Sequence, residues 1–110
     1  MMIPKHQPLR SRKLREAARG QQCTVRLPSV CSGDPDTVVL AHAPAGHRGM
    51  STKTDDSHAA FACDACHAVL DGRVKARVSR EEQLECWLRG INETHAIWRD
   101  MGLISIKGAA

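Results

Sequence analysis

Apolar residues recur at three- and four-residue spacing only toward the end of the chain, where Leu84, Trp87, Leu88, Ile91 and Trp98 share one helical stripe. Ser79 stands three residues before Glu82, the signature of a capping box. Together they predict that the longest helix opens there. Upstream the pattern changes. "TVVLAHA" at 37–43 is an apolar, β-branched run interrupted by His42, and it is the strongest strand signal in the chain. A strand-like stretch is expected near Ala60 to Ala62. A short helix should follow from about Asp64 to Asp71, stopped by Gly72. "CTVRLPSVC" at 23–31 also alternates, but Pro28 breaks it into a hairpin-like or knuckle-like segment. "SGDPD" at 32–36 is a turn by composition. Ser11 to Arg19 can form a short basic helix, with Ser11 as N-cap and Gly20 as stop.

These elements predict an α+β fold. Residues 1–13 read as a flexible basic arm, 14–101 as one small domain and 102–110 as a loose tail. Residues 44–58 form a polar loop with two glycines, long enough to suggest a functional role.

Composition sharpens this picture. A chain of 110 residues with one Phe, no Tyr and two Trp has a limited core and is a candidate for a metal staple. The net charge of +4 and a pI near 9.0 suit an anionic partner such as DNA. Arg10, Arg12, Lys13, Arg15, Arg48 and Lys53 are the residues expected to hold its phosphates without reading sequence. The bland alternative for the run from 10 to 19 is a solvated helix face. The opening "MMIPKHQPLRSRKLR" has no apolar core and does not read as a secretory signal. No apolar run approaches the roughly 18 residues of a membrane span. A cytoplasmic location without membrane association is therefore expected, where cysteines serve metal or redox chemistry more often than disulfides.

The cysteines number five. Cys63 and Cys66 have Cys-x-x-Cys spacing, and Cys23 and Cys31 flank the knuckle. Two such loops supply the four thiolates of a tetrahedral structural zinc site. Cys86, left over beside Trp87, reads as a small buried hydrophobe. The competing readings are free buried thiols with Cys63 merely capping a helix, or a thiol redox pair. The second lacks the βαβ context of thioredoxin-like proteins. His67 follows Cys66 directly, so it points about 100° away around a helix. It shares a face with Asp71 at i+4. The pair can hold a second ion, and His42 at its strand end can meet it across a strand–loop–helix unit. His47 and His58, in the polar loop, read as solvated.

"VVLAHAP", followed after the polar loop by "CDACH", resembles the HNH endonuclease pattern of the ββα-metal nucleases. The longer stretches "LREAARGQQCTVRLPSVCSGDPDTVVLAH" and "FACDACHAVLDGR" resemble the small prophage-encoded nucleases of the YbcO type. Those are relatives of a phage RecA-dependent HNH nuclease that acts in recombination. The resemblance spans about residues 14–73. It implies that His42 is the general base and that His67 binds a catalytic Mg, Mn or second zinc ion. It implies that Cys23, Cys31, Cys63 and Cys66 hold a structural zinc, and that Asp71 is a third-ligand position. Two departures stand out. The residue before the base is Ala41, where many relatives carry a metal ligand, and the central Asn is absent. Asp56 or His58 occupies that neighbourhood, and Asp56 is the candidate further ligand. The implied reaction is metal-dependent hydrolysis of DNA, with a RecA-type recombinase filament as a further partner. The alternative is a non-catalytic zinc-ribbon module that binds DNA or protein.

Overall fold

The computed structural model describes residues 7–44 and 54–109. His47, Arg48 and Lys53 lie outside the described residues. Along the chain come α1 (Arg12–Glu16), a 3₁₀ turn (Pro35–Thr37), β1 (Val39–His42), β2 (Ala59–Ala62), α2 (Asp64–Leu70) and α3 (Arg80–Asp100).

Helix α1 begins where the sequence says it should. The Ser11 hydroxyl accepts from the Leu14 amide at 3.3 Å and caps it. It ends earlier than the expected 11–19. Beyond Glu16 the bonds shorten to i→i+3, from Ala18 to Arg15 and from Arg19 to Glu16, and Gly20 at φ +76° turns the chain away. The segment after it forms the knuckle reading, not a strand. Arg26 and Ser29 take left-handed backbone, with φ 47° and 59°, and Cys31 N–H returns to the Leu27 carbonyl. This brings Cys23 and Cys31 to one side.

β1 and β2 pair antiparallel, with Val39 opposite Ala62 and His42 opposite Ala59. A two-stranded sheet is marginal alone, and here α3 covers it. All of β2, Ala59–Ala62, is buried. The small side chains admit a close helix. A Cβ on Gly90 of α3 would lie 3.1 Å from Ala60 Cβ and 3.2 Å from Thr24 Oγ1 and Val25 Cγ2. One turn on, Thr94 Oγ1 accepts from Phe61 N–H at 3.1 Å and lies 3.1 Å from Thr24 Oγ1. Helix, strand and knuckle are thereby joined by polar contacts inside the core.

Helix α3 carries the expected capping box of Ser79 and Glu82. Its buried face, however, is Cys86, Trp87, Gly90, Thr94 and Trp98. Of the expected stripe, Leu84 is 42% and Leu88 70% exposed. The helix turns its small residues to the sheet, because only they allow the close approach. Trp98 is fully buried and meets Phe61 edge-on at 6.0 Å. Cys86 is a buried free thiol, as read. No helix among the described residues is long and apolar enough to cross a membrane.

Candidate active site and metal centre

The knuckle and the start of α2 bring four cysteines together. The sulfurs of Cys23, Cys31, Cys63 and Cys66 all lie within 4.8 Å of one another. Cys31 and Cys63 are 3.9 Å apart, close to the roughly 3.8 Å edge of a tetrahedron with metal–sulfur bonds of about 2.3 Å. Backbone amides already point at the sulfurs. Arg26 N–H reaches Cys23, Leu27 N–H reaches Cys66 and Ser32 N–H reaches Cys63, each at 3.4 Å. Amides so placed favour thiolate over thiol. The hydrogen bond from Cys66 holds Cys23 down at about 4, while the same contact and burial drive Cys66 far up. Burial lifts Cys31 to about 11. Crowded sulfurs cannot all ionise unaided, and a dication removes that conflict. The donor set fits zinc, and the four cysteines can hold it as a structural metal.

The second site lies at the other end of β1. Strand alternation turns Ala41 into the core and His42 outward. His42 Nε2 lies 2.7 Å from Asp56 Oδ1. Asp56 is fully buried, and its two carboxylate oxygens have four donors. Arg10 Nη1 reaches Oδ1 at 3.2 Å. The Ser11 amide and Arg15 Nη1 each reach Oδ2 at 2.7 Å. Burial alone would raise the carboxyl pKa. The hydrogen bonds from His42, Ser11, Arg15 and Arg10 outweigh it and hold Asp56 well below the usual carboxylate range. An ionised carboxylate only accepts, so His42 donates from Nε2, and in the neutral ring the lone pair is then on Nδ1.

The surroundings fix Asp56 in turn. Its amide donates to the Leu9 carbonyl, and Leu9 N–H donates to Asp55 Oδ1 at 2.8 Å. His95 on α3, stacked on Trp98, bonds the Ser57 carbonyl through Nε2 at 2.5 Å. His58 Nε2 bonds the Pro44 carbonyl at 2.8 Å, so it braces the ends of the polar loop, where the sequence suggested only solvation.

The third group is His67 with Asp71, on one face of α2 as their spacing required. Nε2 and Oδ2 are 3.2 Å apart, and both side chains are partly open to solvent. Arg73 Nη2 also approaches Asp71 Oδ2, at 3.3 Å. Asp56 does not join them. Among the described residues the four cysteines are the one group of three or more metal-ligating side chains within reach of a common ion. A cation at Asp56 would have to displace two guanidinium groups.

The proposed phosphate-binding arginines also have intramolecular duties. Arg12 pairs with Glu16 at 2.9 Å, and Arg10 and Arg15 serve Asp56. Arg10 and Leu9, expected at the end of a free arm, are tied to residues 54–56. Sequence reasoning missed Arg10, Arg15 and His95 as parts of this corner. Their partners lie 38 to 46 residues away, and no local spacing announces them.

Three comparisons bear on this arrangement. Residues 12–103 match a family model described as "Putative nuclease YbcO". The chain is 46% identical over 92 residues to "Putative nuclease YbcO" of Escherichia coli (strain K12), across 83% of this chain and 95% of that protein. It is equally similar, over the same shares, to a protein of the same description from Enterobacteria phage 82. A solved structure, "Structure of a putative bacteriophage protein from Escherichia coli str. K-12 substr. MG1655", is 42% identical. It superimposes with a TM-score of 0.68, covering 82% of this chain and all of that one. A family match across both the thiol cluster and the His42 corner, with relatives from a phage and a bacterial chromosome, places this chain in the YbcO family.

Proposed function

We propose that the chain is a metal-dependent DNA endonuclease of the HNH type. The family description supports the nuclease class. The observation that carries the mechanism is the 2.7 Å contact between the buried Asp56 and His42 Nε2 at the loop end of the hairpin. The order of hairpin and helix, with His42 ending β1 and His67 on α2, matches the layout of ββα-metal nucleases.

His42 Nδ1 takes a proton from the attacking water. Asp56 keeps the ring oriented and stabilises the imidazolium that forms. It accepts no proton itself, because its four donors keep it ionised. His67 and Asp71 would hold the catalytic divalent ion. Bound there, the ion supplies Lewis-acid stabilisation of the scissile phosphate and the leaving oxygen. The four cysteines take no part in the chemistry and keep α2 in place.

A plasmid-nicking assay with Mg²⁺ or Mn²⁺ tests this reading, run with and without a recombinase filament on single-stranded DNA. Cleavage should depend on the ion and on His42. His67→Ala should be partly rescued by raised Mn²⁺, whereas His42→Ala should not. A protein that never cuts under any of these conditions is a binding module and not an enzyme.

A further inference from the structure

The connection between α2 and α3 carries Arg73, Lys75, Arg77 and Arg80, with no acidic residue among positions 73–80. All four side chains are exposed. The segment is held from both ends. Arg73 N–H and Val74 N–H both donate to the Ala68 carbonyl, closing α2. Val78 is buried, Ala76 packs on the core, and Gln83 Nε2 bonds the Val78 carbonyl. Anchored at 76 and 78, the chain presents Lys75 and Arg77 outward. Below them runs an open groove of about 480 Å³, lined by Val69, Asp71, Lys75, Ala76, Arg80 and Gln83.

A contrast in pairing singles this surface out. Arg10, Arg12 and Arg15 on the α1 side are each matched to a carboxylate, which leaves Lys13 and Arg19 as the cations there without an ion pair among the described residues. The open groove there also includes Glu16. Among the described residues, Lys75, Arg77 and Arg80 form no ion pair. Of the acids that open α3, Glu82 is occupied by the Ser79 cap, and Glu81 beside Arg80 forms no ion pair among the described residues. Cations that pair with nothing in their own chain remain available for an external anion, and their counterions are released when it binds.

We infer that the groove between α2 and α3 is the main track for the DNA phosphate backbone, with Lys75 and Arg80 contacting it directly and Arg77 flanking. This rests on the nuclease reading, because Asp71 forms one wall of the groove and is a proposed ion ligand. The scissile phosphate then sits at the Asp71 end and its neighbours run over Lys75 and Arg80. Contacts of this kind position the strand and carry no base sequence.

The test uses the full chain carrying His42→Ala, so that the probe stays intact, and a short fluorescein-labelled DNA duplex. Affinity is measured from about 50 to about 200 mM salt. Adding Lys75→Gln and Arg80→Gln should weaken binding about tenfold or more and flatten the slope of log K against log salt by roughly 1.8, or two phosphates. Adding Arg12→Gln instead, at a guanidinium already paired with Glu16, should change the slope by less than a quarter as much. Zinc content and melting must match the parent. If the double variant fails that check, Lys75→Gln alone on its exposed side chain replaces it, with about half the slope change expected. A parent that binds no DNA removes the nuclease reading and this surface with it. A parent that binds, with the groove variants binding equally well, overturns the groove alone.

Discussion

The thiol cluster and the Asp56 corner both gather acidic groups under cover, yet they are neutralised from opposite directions. Around Cys23, Cys31, Cys63 and Cys66 the N–H hydrogen bonds to sulfur come from backbone amides, while the nearby Arg26 guanidinium bonds the Cys23 carbonyl and pairs with Glu93. Four ionisable sulfurs therefore call for a dication from outside. Around Asp56 the protein provides two guanidinium groups, an imidazole and an amide for a single carboxylate. That corner balances its acid with the protein's own donors. The contrast separates the two jobs. The first site joins the knuckle to α2, and the second holds a partly exposed His42 against a buried acid. A cysteine cluster is thus read as a staple, and a surplus of donors on a buried acid as a device for holding His42.

The largest expected effect comes from removing the imported cation. Cys63→Ser should lose the approximately one zinc per chain, and the protein should unfold or aggregate, because metal affinity in such domains is folding free energy of order 10 kcal/mol. Metal analysis and thermal melting check this. A variant that melts like the parent would show that amides alone suffice at the thiol cluster, and the contrast would collapse.

Next comes the corner itself. His42→Ala should lower cleavage by about 10²–10⁴-fold, the usual contribution of a general base, with zinc content and melting unchanged. Asp56→Asn should also slow cleavage, but for a different reason. An amide can present its NH₂ group toward His42, which loosens the preference for Nε2–H. The pH–rate profile should therefore move, as a merely structural change would not require. It should also destabilise the fold by about 1–3 kcal/mol, since buried and half-buried donors lose their acceptor. A destabilised variant with an unaltered pH profile would make Asp56 a structural clamp only.

How much of this was legible in sequence depends on how far apart the partners lie. The four cysteines, the Ser79–Glu82 box and the His67–Asp71 pair are local patterns, and each comes together as its spacing required. The buried face of α3 was misread because Leu84 and Leu88 outweigh Gly90 and Thr94 on any hydrophobic count. Close packing against Ala60 and Val25 favours the smaller residues, and that depends on the partner surface. Asp56 was visible as an acid near the expected ligand position. Its real neighbours, Arg10 and Arg15, sit more than 40 residues upstream, so nothing local could reassign it.

The smallest effects grade the corner internally. Arg15 Nη1 lies 2.7 Å from Asp56 and Arg10 Nη1 3.2 Å, and both side chains are more than 40% exposed. Arg10→Ala should therefore cost only about 0.2–1 kcal/mol, the range of partly solvated pairs, and Arg15→Ala more than Arg10→Ala. The acid limb of stability gives an independent reading. The folded pKa of Asp56 is depressed below its ordinary value near 3.9. Its contribution is thus complete above about pH 4 and is lost as pH falls through the folded pKa. The stability gap between the parent and Asp56→Asn should close as pH falls below about 4. In Arg15→Ala the carboxylate loses one of its four donors, so its folded pKa rises, and the gap should be smaller and finish closing at higher pH than in the parent. Urea unfolding at several pH values reads both. A gap that closes at the same pH with and without Arg15 would mean that His42, Ser11 and Arg10 alone keep Asp56 ionised, and that Arg15 is held by the acid more than it holds it.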